Sequence, residues 1–166
     1  MLGYFNRRFL INLITVLIIF SLDRISKSYV ILLSEKNLSH SLFQSKYLNI
    51  SLVWNEGIAF GLLSFDEKYF YNLLTILIMI LVVIIFFMIL KNESFKKFSL
   101  LLVFGGALGN LYDRIFYKAV PDFIDFHIGN FHWFIFNVSD IFITTGVLLL
   151  IFLELIYKKD KIDKKS

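Results

Sequence analysis

Two carboxylates stand where an oily chain has little reason to keep them. Asp122 lies in Val120-Pro121-Asp122-Phe123-Ile124-Asp125-Phe126, where acids alternate with apolar residues. Asp140 lies in Phe136-Asn137-Val138-Ser139-Asp140, at the start of a long apolar segment. Two carboxylates sharing one site do not both ionise easily, so one holds a proton near neutral pH. The ionised member can activate water as a base, while the protonated one donates a hydrogen bond to a carbonyl. Peptide hydrolysis without metal, thiol or serine needs that pair. Taken alone, Asp122 reads as a solvated acid of a surface loop, and Asn137, Ser139 and Asp140 read as helix-capping residues. If the apolar segment starts at Phe134, Asp140 lies roughly 9 Å along its axis, deeper than capping requires.

Other chemistries lack parts. Cysteine is absent, which removes thiol nucleophiles, disulfides and cysteine metal sites together. His40, His127 and His132 show no HExxH spacing, so a zinc peptidase is not expected. Ser26, Lys27 and Ser28 suggest a Ser/Lys dyad, but adjacent helical positions do not face each other. The expectation is an enzyme with neither metal nor cofactor.

The elements that must position the pair are membrane spans. The chain has 166 residues, of which 58% are hydrophobic, too many for a soluble surface. Segments of about 20 apolar residues cross a bilayer. Four candidates run over residues 9–33, 69–90, 98–116 and 134–157, within a single domain of residues 1–166. The fold expected is all-α, four transmembrane helices with a small surface sheet. Asp23-Arg24 follows the first apolar run where a signal-peptide cleavage site would stand, so that run reads as a retained span.

The net charge is +4, and the basic residues gather at the chain ends and one connection. Arg7 and Arg8 precede span one, Lys91, Lys96 and Lys97 link spans two and three, and Lys158, Lys159, Lys161, Lys164 and Lys165 follow span four. With four spans all three groups lie on one side, so both termini are expected in the cytoplasm. That pattern indicates membrane orientation and contact with anionic lipid, with no nucleic-acid partner. Segments 34–68 and 117–133 fall on the other side. Tyr47–Trp54 is β-branched and aromatic with partial alternation, which predicts short strands before the turn Asn55-Glu56-Gly57.

Ionisable residues inside spans are costly and each needs a reason. Asp23 and Lys27, four apart with the acid first, form a favourable helical ion pair and read as structural. Arg24 is expected to snorkel to headgroups. Gly105 and Gly109 have the small-xxx-small spacing of close helix packing. Asn110 and Arg114 share a face, and Asp113 beside them is expected to hold Arg114.

These stretches together resemble one family closely, the lipoprotein signal peptidases (signal peptidase II). The matching residues are Asp23-Arg-Ile-Ser-Lys27, Asn55-Glu-Gly57-Ile-Ala59-Phe60, Gly105-Gly-Ala-Leu-Gly-Asn110-Leu-Tyr-Asp113-Arg114, Val120-Pro-Asp122-Phe123 and Phe136-Asn137-Val-Ser-Asp140. The resemblance implies an aspartic endopeptidase of the bacterial inner membrane. It would cut diacylglyceryl-modified prolipoproteins just before the lipidated cysteine, near the periplasmic face. By position, Asp122 and Asp140 match the family's catalytic pair. Asn55, Gly57, Asn110, Arg114 and Asn137 match its substrate-binding residues, and Asp23, Lys27 and Asp113 match structural ones. The resemblance also implies a periplasmic β-cradle around Asn55, a lid-like loop over 117–133, and inhibition by globomycin. Pro121 and Ser139 depart from common family residues without touching a catalytic position. The substrate must be extended to expose its carbonyls, so strand-like pairing near Asn55 is expected to supply that shape.

A transporter is the main rival, because intramembrane acids also relay protons. It would need polar residues through the whole bilayer, and span two has none in its middle. A non-catalytic assembly subunit, packed through the glycine face, would leave Asp122 and Asp140 without a task.

Overall fold

The computed structural model describes residues 2–36, 41–57 and 67–163. Ala59 and Phe60 of the second motif, His40, and Lys164 and Lys165 of the tail lie outside the described residues. The elements in chain order are α1 (Leu2–Lys36), β1 (Phe43–Gln44), β2 (Leu48–Asn55), α2 (Glu67–Lys91), α3 (Ser94–Phe116), β3 (Val120–Ile128), β4 (Phe131–Phe136) and α4 (Val138–Asp163).

Among the described residues, three helices are long and apolar enough to cross a membrane, over Arg7–Lys36, Tyr69–Lys91 and Val138–Lys158. They expose large apolar side chains along their length, such as Ile14, Ile18, Leu77, Ile84, Leu148 and Phe152. The expected fourth span, α3, does not meet the same test. Its 23 residues would reach about 34 Å, but it carries Lys96, Lys97, Asn110, Asp113 and Arg114. The packing explains why. α3 is the element that α1, α2 and α4 all pack against, and it buries Ser99–Val103, Gly105, Gly106 and Gly109. A helix screened from lipid by its neighbours has no need of a continuous apolar surface.

The glycines set that packing. A Cβ at Gly105 would meet Ile19 of α1, one at Gly106 would meet the Ser139 carbonyl of α4, and one at Gly109 would meet both Asp23 and Ser139. The close-packing reading of this stripe therefore holds. Ile89, Leu100 and Leu101 form a small core towards the opposite end of the bundle, with Val16, Ile85, Phe104 and Leu150 against them.

The four strands form one antiparallel sheet in the order β1-β2-β3-β4. β2 matches the predicted strand within a residue at each end. Segment 117–133 departs from expectation. It is not a lid-like loop, because most of it forms β3, the Gly129 turn and the start of β4. Phe134–Phe136, expected inside span four, complete β4 instead, and α4 starts only at Val138. Aromatic and β-branched residues suit either an apolar span or a half-buried strand, and here pairing with β3 decides. Two bulges adjust the sheet, between Ile50 and Val53 on β2 and opposite Asp125–His127 on β4. Pro121 is tolerated because β4 pairs with β3 only from Ile124 onward.

Candidate active site

The sheet and the first turn of α4 bring Asp122 and Asp140 into one site. Asp122 sits on β3, only 3% exposed, so it is not the solvated loop acid that its sequence alone suggests. Asp140 lies in the first turn of α4, not two turns inside it. The depth argument for Asp140 is thus corrected, and capping is part of what it does. The Asn137 backbone N–H donates to Asp140 Oδ2 (3.0 Å), and the Asp140 N–H donates back to Asn137 Oδ1 (3.2 Å). This reciprocal pair is a capping box, with Asn137 as N-cap and Asp140 at N3.

Three asparagine amides aim at the two carboxylates. Asn55 Nδ2 donates to Asp122 Oδ2 at 2.8 Å, and Asn137 Nδ2 donates to Asp122 Oδ1 at 2.6 Å. Asn110 Nδ2 donates to Asp140 Oδ1 at 2.8 Å. Each amide has its orientation dictated by a second contact, because its carbonyl oxygen accepts from a group that can only donate. Gly57 N–H donates to Asn55 Oδ1 (2.8 Å), the Asp140 N–H to Asn137 Oδ1, and Lys27 Nζ to Asn110 Oδ1 (2.8 Å). A flipped amide would set donor against donor in all three cases. Every oxygen of the two carboxylates consequently accepts one directed hydrogen bond. Burial pushes the Asp122 carboxyl above its usual range, and the charge of Asp140 adds to the rise. The donors Asn55 and Asn137, and more distantly Lys27, oppose the shift.

A buried ionic layer lies beneath. Lys27 Nζ bridges Asp23 Oδ1 (2.9 Å) and Asp113 Oδ2 (2.7 Å), which bears out the Asp23–Lys27 pair read from the sequence. Arg24 does not snorkel. Its guanidinium spans Asp23 (2.7 Å) and Asp113 (2.5 Å) and lies over the Tyr112 ring at 4.8 Å. Asp113 accordingly holds Arg24 and Lys27, not Arg114. The cluster of two acids and two bases is neutral as a whole, which is how it tolerates burial. It also reaches the carboxylate pair. Asp23 Oδ1 accepts the Ser139 N–H (3.0 Å), one of the donors that the start of α4 would otherwise leave open. Ser139 Oγ is buried without a hydrogen-bond partner among the described residues.

Gly57 follows Asn55 with φ +78°, and a Cβ there would lie 2.6 Å from Leu74 Cδ2. The turn that fixes Asn55 therefore needs glycine. Arg114 faces this turn, with Nη2 3.7 Å from that Cβ position. Its Nε and Nη1 are buried without a hydrogen-bond partner among the described residues. The Tyr71 hydroxyl meanwhile fixes the Arg114 carbonyl at 2.9 Å. A groove of about 630 Å³ runs beside the pair, walled by Phe126, Trp133, Phe134 and Phe136 of the sheet and by Asp140, Ile141 and Thr144 of α4.

Sequence reasoning had named every residue of the amide layer. It missed Arg24 as a partner of Asp113 and the Asp23 contact to α4; the capping reading of Asn137 and Asp140 holds, and its reciprocal form is what the structure adds. The spacing of Asn110 and Asp113 was a usable signal, since residues three apart share a helical face and Lys27 binds both.

Comparison with known proteins identifies the family. A family model described as signal peptidase (SPase) II matches residues 15–156. A lipoprotein signal peptidase of Pelagibacter ubique (strain HTCC1062) is 48% identical over 160 residues, 96% of each chain. One from Anaplasma phagocytophilum (strain HZ) is 37% identical over 153 residues, 90% of this chain and 94% of that one. A bacterial membrane enzyme solved by the in meso method at 2.3 Å resolution superposes with a TM-score of 0.69 at 32% identity, covering 90% of each chain. The motifs, the fold and these relatives lead to one assignment: the chain belongs to the signal peptidase II family of aspartic peptidases, the lipoprotein signal peptidases.

Proposed function

We propose that this protein removes the signal peptide from diacylglyceryl-modified prolipoproteins by cutting just before the lipidated cysteine, with Asp122 and Asp140 as its catalytic pair. The observation that carries the reading is the convergence of three orientation-locked amides on those two carboxylates.

Asp122 holds the proton, in keeping with its raised pKa. Asp140 is the base, its charge met by Asn110 and by the N-terminus of α4. Asp140 takes a proton from water as the water oxygen attacks the scissile carbonyl carbon, and Asp122 gives its proton to the carbonyl oxygen. The resulting tetrahedral diol collapses when Asp140 passes its proton to the amide nitrogen and Asp122 recovers one from a hydroxyl. The C–N bond breaks, and both carboxyls return to their starting states. Arg114 binds substrate through the buried donors that lack a partner among the described residues. The apolar groove takes the oily part of the substrate beside Asp140. β2 offers an extended edge from Ser51 to Asn55, where β1 does not pair with it, for a substrate backbone to lie along.

In this reading the protein is a bacterial inner-membrane enzyme in which α3 is a fourth span. Arg8, Lys91, Lys97 and Lys158 mark the cytoplasmic end, and the sheet and the catalytic pair meet the periplasmic headgroup region, where a lipid-anchored peptide bond resides. Membrane lipids surround it, and globomycin-type cyclic peptides are expected to occupy the site. The decisive experiment mixes purified protein with diacylglyceryl-modified prolipoprotein and follows cleavage by gel shift. Asp122→Asn and Asp140→Asn should each abolish cleavage while thermal unfolding in detergent still shows a folded protein. Turnover surviving either change would remove the pair from its role, and an inactive parent would revive a transport or assembly function.

A further inference from the structure

A second set of chemically capable side chains lies on the β3–β4 hairpin, on the face of β3 that alternation turns away from Asp122. Asp125 and His127 are two apart on β3 and share that face. His132 of β4 is the cross-strand partner of His127. Paired opposite His127, His132 lies diagonal to Asp125 on the same face of the hairpin, within reach of its carboxylate. His132 Nδ1 stands 3.0 and 2.8 Å from the two Asp125 oxygens. The two imidazoles stack at 5.0 Å with 16° between their planes. One ligand atom from each of the three residues lies within 4.8 Å of the others. His127 Nδ1 is buried and has no hydrogen-bond partner among the described residues, and Asn49 Nδ2 reaches Asp125 Oδ2 from β2 at 3.3 Å.

We propose that Asp125, His127 and His132 form a binding site for a divalent transition-metal cation of the zinc type, which clamps the β3–β4 hairpin. Two imidazole nitrogens and one carboxylate suit zinc, whereas magnesium and calcium prefer oxygen donors. Ligand atoms about 2.1 Å from a tetrahedral ion stand about 3.4 Å apart, so small side-chain rotations close the set around the ion. Three protein donors leave the fourth position to water. Asn49 orients the carboxylate from outside the ligand set, a common companion of such sites. The HExxH pattern does not detect this trio, because that motif places its ligands along one helix, whereas here they meet across a hairpin.

The test uses full-length protein purified in detergent without a polyhistidine tag. Zn²⁺ is titrated against a chromophoric chelator, and thermal midpoints are recorded with and without the ion. The parent should bind one Zn²⁺ per chain with a rise in midpoint, and Mg²⁺ should give neither. His132→Gln is the key variant, because that side chain is 52% exposed and its loss leaves the fold intact. It should abolish stoichiometric binding and the rise in midpoint, and Asn49→Ala should weaken binding by about 10- to 100-fold. His40→Gln should bind as the parent does. Absence of saturable binding in the parent, equal binding by His132→Gln, or equal stabilisation by Mg²⁺ would overturn the site.

Discussion

Replacing Asn137 separates what holds the start of α4 from what serves the proposed catalytic pair. In Asn137→Ala the N-cap is lost, which costs about 1 kcal/mol of stability. The amide that donates to Asp122 Oδ1 at 2.6 Å is lost as well. Asp122 gains charge as it gives its proton to the scissile carbonyl, and a hydrogen bond to a charged group contributes about 1.5–3 kcal/mol. If that bond is needed in the transition state, turnover falls about 10- to 150-fold. Asn137→Ser divides the two effects. Serine is as good an N-cap as asparagine, so its hydroxyl can take the Asp140 N–H and restore most of the lost stability. It is too short to reach Asp122 as the amide does, so turnover stays low.

The same variant carries a pH signature. The Asn137 donor lowers the pKa of Asp122 against the larger rise caused by burial. Without it the Asp122 proton is held to higher pH. Activity that needs a protonated Asp122 is lost as pH rises through that pKa, so the alkaline limb of the Asn137→Ser profile should move upward. The assay is cleavage of lipid-modified prolipoprotein at saturating substrate across a pH series, beside thermal midpoints. Parental turnover in Asn137→Ser would show that the amide contributes only a cap. An alkaline limb that stays in place would show that Asp122 is not the proton-bearing member.

Lys27→Met should destabilise the protein by about 3–5 kcal/mol, because it leaves Asp23 and Asp113 buried with Arg24 as their remaining cation; a detergent unfolding midpoint close to the parent's would contradict the neutral-cluster account. Gly109→Ala places a methyl against the Asp23 carboxylate and Ser139, and should cost about 1–3 kcal/mol together with activity, whereas Gly129→Ala meets open space and should cost only the roughly 1–2 kcal/mol of a side chain at φ +60°, with the carboxylate pair left in place. The raised Asp122 pKa means that the folded chain binds more protons than the unfolded one between the usual carboxylate range and the raised value. Stability should therefore fall as pH rises through that window, and Asp122→Asn should flatten the slope.

Much of the site was open to sequence reasoning because polar residues within apolar stretches are conspicuous. Asn110, Asp113 and Arg114 stand out in an apolar helix, and Asp23 and Lys27 announce their pairing by spacing alone. The uninterrupted apolar run of α2 needs no tertiary information. Tertiary choice decided the rest. Phe134–Phe136 is apolar enough to open a span and aromatic enough to be a strand, and only its pairing with β3 separates the two. Arg24 beside Asp23 looks like a lipid anchor until α3 supplies Asp113 from the other side. The trio proposed to hold a metal depends on the register of β4 against β3, which sets His132 opposite His127 and cannot be read from residue spacing along the chain.

The corrected start of α4 strengthens the catalytic reading. Two turns inside the helix, Asp140 would meet a backbone whose N–H groups are already engaged. In the first turn it meets open donors, and one of them, the Asn137 N–H, comes from the residue whose side chain holds Asp122. Asn137 thus couples the two carboxylates through one rigid residue. Its neighbour Ser139 ties the same turn to Asp23, which approaches only because position 109 lacks a side chain. Lys27 binds Asp23 and also orients Asn110 towards Asp140. The residues read from sequence as structural therefore set where the second carboxylate stands. An aspartate at any of the three amide positions would put like charge against the pair, and a glutamine would move the donor by a methylene. Asparagine alone offers a short neutral donor whose carbonyl can be held by a fixed N–H, and all three positions carry it.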